Sequence, residues 1–125
     1  MPGFRTALAG AAALLLSLSA VSPAFAWGAL AIDSNHGSRW GYSHGYSSES
    51  GAVNRAVSEC GRGCRSVVTF NNACAAYAVD RTSGSTVYGW ARASSRSAAE
   101  NSALGYCRSY GGRNCSIRVW GCDNR

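Results

Sequence analysis

The chain repeats itself, and that repetition restricts its fold more than any other feature. Sliding residues 28–60 forward by 47 positions lays Asp33 on Asp80, Gly37 on Gly84 and Ser47-Ser48 on Ser94-Ser95. Asn54 then falls on Asn101 and Cys60 on Cys107, and twelve of the 33 pairs are identical. Chance at this composition would give roughly two or three, so the period is a genuine internal repeat. Residues common to both halves serve the shared fold. Residues confined to one half are the places to look for function.

The ends delimit the folded part. Arg5 leads into an apolar run from Ala7 to Leu18, followed by Ser22-Pro23 and the small-x-small site Ala24-Phe25-Ala26. Residues 1–26 therefore read as a secretory signal peptide, with cleavage expected before Trp27. The apolar run is too short for a spanning helix, and no later stretch approaches the ~20 apolar residues a membrane span needs. An exported protein, periplasmic or released, is expected. The mature chain, residues 27–125, reads as one small domain, with repeat one over 27–74 and repeat two over 75–125. A domain this small buries only about 60–65% of its unfolded surface, so covalent staples matter.

Six cysteines, Cys60, Cys64, Cys74, Cys107, Cys115 and Cys122, all lie in that part. An even number in an oxidising compartment reads as disulfides. The repeat favours Cys60–Cys64 and Cys107–Cys115 within halves and Cys74–Cys122 between them. No Cys-x-x-Cys pair occurs and both histidines lie outside cysteine spacing, so no metal site is expected.

Within each half the pattern reads as ββαβ. Trp27–Asp33 and Cys74–Asp80 are short apolar strands ending in an Asp, whose carboxylate can bond backbone N–H groups in the following turn. Arg39–Tyr46 and Thr86–Ala93 alternate large and small side chains, the mark of second strands. Here Trp40, Tyr42 and His44 match Tyr88, Trp90 and Arg92 at a shift of 48 rather than 47, which requires a compensated one-residue difference between the turns. Ala52, Ala56, Val57 and Cys60, then Ala99, Ala103, Leu104 and Cys107, form helical stripes. Ser97-x-x-Glu100 is a capping-box candidate, with Ser95 as the competing cap. Gly61 and Gly63, then Gly111 and Gly112, stop the helices. Arg65–Phe70 and Ser116–Trp120 are the last strands. The fold class is α+β: about six strands, mainly antiparallel, with two helices.

A further set of residues carries a resemblance. Trp-Gly-Ala-Leu-Ala follows the signal peptide, and Ala-rich helices end in Cys60 and Cys107. Cys64 leads into Val67-Val68-Thr69-Phe70-Asn71-Asn72-Ala73-Cys74-Ala75-Ala76. The chain closes with Cys115-Ser116-Ile117-Arg118-Val119-Trp120-Gly121-Cys122. This resembles the exported bacterial family known as domain of unknown function 4189, over essentially the whole mature chain. The resemblance implies small secreted or periplasmic proteins, with no assigned activity and no catalytic residues.

The mature part carries 11 Arg against 6 Asp and Glu, 12 Arg in the chain less Arg5, and no lysine, for a net charge of +5. Dispersed arginine reads as genome composition or as bidentate recognition of carboxylate and phosphate. The charge favours anionic partners in a salt-dependent way. There is no basic cluster for nucleic acid, no Gly-rich phosphate loop entering a helix, and no motif for any cofactor. His36 and His44 occur in the first half only and with Asp33 could serve an envelope hydrolase. No Gly-x-Ser-x-Gly marks a nucleophile, and turn or strand histidines explain them as well.

The aromatic stripe is the strongest functional lead. Trp40, Tyr42, His44 and Tyr46 share one face of a strand, as do Tyr88, Trp90 and Arg92. Alanine-striped helices come close to a sheet and call for large side chains opposite, which these rings would provide. The alternative is an uncovered sheet face that acts as a binding platform. The functional expectation is a non-enzymatic module that binds an envelope or extracellular protein or an anionic wall polymer. The other readings are the small hydrolase or wall-modifying enzyme and an inhibitor or immunity protein of a secreted hydrolase.

Overall fold

A computed structural model of the protein describes residues 26–33 and 38–123; the signal-peptide reading, His36 and Gly37 lie outside them. The elements run β1 (Trp27–Asp33), β2 (Trp40–Tyr46), α1 (Glu49–Cys60), β3 (Cys64–Asn71), β4 (Ala73–Asp80), β5 (Tyr88–Ala93), α2 (Arg96–Ser109) and β6 (Cys115–Asp123). These are the α+β elements the repeat predicts. They assemble as two three-stranded antiparallel sheets, β2-β1-β3 and β5-β4-β6. Each unit contributes one sheet and one helix. A single residue, Asn72, at φ 52°, carries the chain from the first sheet to the second; Asn tolerates this left-handed conformation better than most residues.

The layers follow from the side-chain alternation of the two central strands. Along β1, Ala29 and Ala31 turn toward Ala52, Ala56 and Cys60 of α1. Leu30 and Ile32 turn the other way, onto Tyr77 and Val79 of β4. In β4, Cys74, Ala76 and Ala78 face Ala99, Ala103 and Cys107 of α2. The order is helix, sheet, sheet, helix. Period-two alternation sends small residues under each helix and large ones between the sheets.

The large side chains that the alanine stripes suggested beneath the helices are present only in part: Trp27 and Tyr46 pack against the α1 cluster, while elsewhere the contact is between small residues. Alanine meets alanine, and glycine meets helix backbone. A β-carbon on Gly89 would lie 2.6 Å from the Ala103 carbonyl oxygen and 2.5 Å from the Cys107 nitrogen. Gly41 lies against Ala56 and Cys60 in the same way, which makes the 48-residue shift in this strand structural. The compensating residue is a bulge in β2, where Ala29 pairs with Ser43 but Trp27 pairs with Tyr46. Gly45 absorbs it at φ 78°. Ser43 also ties β2 to α1, its hydroxyl donating to the Ala52 carbonyl at 2.6 Å.

Both helices are capped by the serines that the repeat equates. Ser48 accepts from the Gly51 amide at 3.1 Å and Ser95 from the Ala98 amide at 3.2 Å. The capping-box serine is therefore not Ser97, and Glu100 instead accepts from Arg96 at 3.0 Å, one turn back. Disulfides join Cys60 to Cys64 and Cys107 to Cys115, linking each helix end to the strand that follows. Cys74 pairs with Cys122. Because β4 begins at Ala73, that bridge joins neighbouring strands of one sheet rather than the two halves.

Asp80 closes the second hairpin. It accepts from the Thr82 amide at 3.1 Å, the Thr82 hydroxyl at 2.8 Å and the Asn114 amide at 2.9 Å. Hydrogen bonding from Ser85, then from Thr82 and Asn114, holds its carboxyl far below the usual carboxylate range. A depressed folded-state value stabilises the fold above the unfolded carboxyl pKa near 4 and is lost as pH falls toward the folded value. Asp80→Asn should therefore lower the urea midpoint by a constant amount above about pH 5, with the gap to the parent closing below about pH 4. A gap independent of pH would assign Asp80 no ionic role. Gly41→Ala should cost about 1–3 kcal/mol by overpacking, read as a lower urea midpoint at unchanged slope. An unchanged midpoint would show that α1 is not held against β2.

Candidate functional site

The seven residues singled out by the aromatic alternation do not form one face. β2 lies over β6 and β5 lies beside β3, so the two stripes occupy opposite margins of the sandwich. Trp40, Tyr42 and His44 face the space between the sheets on one side. Tyr88 and Trp90 face it on the other. Tyr46 leaves the stripe, because the bulge at Gly45 turns it to the opposite face, where it packs beneath α1.

The β2 margin is closed. Tyr42 stacks on Phe70 with ring centroids 6.0 Å apart and on His44 at 5.5 Å. Its hydroxyl end lies against Gly121, where any β-carbon would fall on the ring. Burial, with a smaller contribution from the Asp123 carboxylate, pushes the phenol up to about 12. Asp123 accepts from the Gly45 amide and so joins the two sheets. Trp40 remains 36% exposed at the rim.

Chemistry at His44 finds little support in this geometry. His44 is exposed, and it follows Ser43, whose β1 partner Ala29 lies four residues before Asp33. That is about 13 Å of strand, and Asp33 is instead paired with Arg39 at 3.5 Å. Among the described residues no cluster of three His, Cys, Asp or Glu side chains is placed to hold a metal ion. No buried side-chain nitrogen or oxygen lacks a hydrogen-bond partner among them either.

The β5 margin is open. A groove of about 480 Å³ runs along the outer edge of this strand, lined by Tyr88, Gly89, Trp90, Ala91 and Arg92, by Val68 of β3, and by Ser102, Tyr106 and Tyr110. A second hollow of about 420 Å³ continues it past Thr86 and Val87 along the same rings. Gly89 allows α2 to approach the sheet so closely that Tyr106 sits directly above the strand. Tyr106 and Tyr110, 50% and 67% exposed, stack at 6.5 Å between centroids and form one wall. Tyr88, Trp90 and Val68 form the other. Arg92 closes one end, donating from Nη1 to the Thr69 carbonyl of β3 at 2.8 Å. No acidic residue lines either hollow.

Trp90, Tyr88 and Arg92 thus belong to this groove, whereas Tyr106, Tyr110, Ser102 and Val68 are not among the candidate binding residues that the sequence offers. The duplication held the signal for two of them. At the 47-residue shift Tyr106 stands where the first half has Glu59, and Ser102 where it has Arg55. In α1 those two form an ordinary surface ion pair at 2.7 Å. In α2 the same face is aromatic.

The model of one protein family, described as Domain of unknown function (DUF4189), matches residues 27–122, and the chain belongs to that family. No curated protein and no solved structure matches it.

Proposed function

We propose that this member of the domain of unknown function 4189 family is an exported binding module of the cell envelope, and that the groove along β5 holds its partner. The observation that carries this reading is the groove's composition: four rings, one arginine and an accessible strand edge. Rings with a polar handle supply large contact area at modest entropic cost, which is why Tyr and Trp, with Arg, dominate binding hot spots. Three disulfides agree with an oxidising, extracytoplasmic setting. The family match begins at Trp27, where cleavage of the leader is expected. No helix among the described residues is long and apolar enough to cross a membrane.

The competing hydrolase reading needs His44 beside Asp33, which the strand register separates, or His36. An inhibitor of a secreted hydrolase would use the same groove and is a special case of the module. The test uses oxidised protein recovered from an exporting host, immobilised and presented separately with purified peptidoglycan and with envelope proteins. Trp90→Ala and Tyr106→Ala should each weaken retention of the bound fraction at least tenfold, while Trp120→Ala, on the opposite margin, leaves it unchanged. Equal retention by all three variants would remove the groove from the function. Wall hydrolysis abolished by His44→Asn would replace the module with an enzyme.

A further inference from the structure

We propose that the partner is an extended polypeptide segment that adds to the free edge of β5 as a fourth strand of its sheet, with apolar side chains on both faces and an acidic one reaching Arg92. This rests on the reading of the groove as the binding site and specifies what enters it.

Three observations point to a strand. The first is that β5 pairs with β4 alone, and its outer backbone groups have no backbone partner among the described residues. Such an edge is a template for another chain. The second is its regularity. The β1–β2, β1–β3 and β4–β6 pairings each contain a register shift, whereas β4–β5 runs without one from Cys74–Ala93 to Val79–Tyr88. Bulges and prolines are the usual means of spoiling an edge, and β5 has neither. The third is that walls rise on both sides of the edge. An added strand would send alternate side chains to Tyr106 and Tyr110 on one side and to Val68 and Trp90 on the other. Strand addition takes affinity from main-chain bonds and specificity from such pockets. Six residues of β5 offer about 20 Å, room for roughly six residues of partner.

The charge of the groove selects the polar element. Arg92 is exposed, uses one of its five donors on Thr69, and faces no carboxylate in the lining. A carboxylate on the incoming strand completes it. The internal repeat supplies the contrast. The equivalent edge, β2, is bulged and joined to β6 through Asp123, and the facing helix positions are Arg55 and Glu59, paired with each other. One margin is closed by the molecule itself. The other is shaped to receive another chain.

The experiment is selection of displayed random linear peptides on the oxidised full-length protein, followed by amide exchange and backbone N-methylation of the recovered peptides. We expect peptides of alternating apolar residues with one Asp or Glu, and protection of amides within Tyr88–Ala93 on binding. N-methylation at every second peptide position should weaken binding more than tenfold, with little effect at the positions between, since only alternate N–H groups face β5. Arg92→Glu should exchange the acidic preference for Lys or Arg. Failure to recover peptides, or N-methylation without alternation, overturns strand addition. If peptidoglycan fragments perturb Trp90 and Tyr106 while no peptide does, the groove remains the site and the occupant is a glycan. If neither ligand touches the groove, both proposals fall. A concentration-dependent dimer that protects the β5 amides would identify a second copy of this chain as the occupant.

Discussion

Everything in this fold depends on how closely each helix lies on its sheet. Gly41 and Gly89 allow helix backbone to approach strand backbone, and alanines at 29, 31, 52, 56, 76, 78, 99 and 103 extend that close contact along both layers. Small residues hide little apolar surface each, so these layers gain from dense dispersion contacts rather than from bulk. The bulky Leu30, Ile32 and Tyr77 lie on the other face of the central strands, in the space between the sheets, where they are almost fully buried. The disulfides at Cys60–Cys64 and Cys107–Cys115 hold the helix ends at the same short distance.

Two units built alike need not meet alike on both sides. At one margin Tyr42 sits on Gly121 and Asp123 bonds to Gly45, and the sheets close. At the other the Arg92–Thr69 bond crosses the gap, and aromatic rings stand in the opening. The difference arises from few residues: one bulge, one glycine and two helix positions changed from Arg and Glu to Ser and Tyr. The groove is what remains where the two units do not complete each other.

Much of this was legible in the chain. The eight elements, the helix-stopping glycines and the cysteine pairs follow from periodicity, turn chemistry and the repeat. The two-sheet layering was less accessible, because Ala-Leu-Ala-Ile in β1 reads as a plain apolar run until the second sheet supplies a partner for Leu30 and Ile32. For the same reason rings that alternate with glycine can be assigned to a common face but not to what covers it. Tyr46 was misplaced by a bulge that costs one residue and no recognisable motif beyond Gly45. Tyr106 and Tyr110 were overlooked because exposed helical tyrosines have no local signature. Only comparison with Glu59 in the sister unit sets Tyr106 apart.

The one-residue passage at Asn72 has a consequence for how such a molecule can change over time. Were the units separate chains related by a two-fold axis, any substitution would appear at both margins, and an aromatic wall would be duplicated along with its exposed edge. Covalent fusion releases that constraint. One copy can keep its ion pair and remain closed while the other drifts toward a new surface, and neither change disturbs the alanine layers they share.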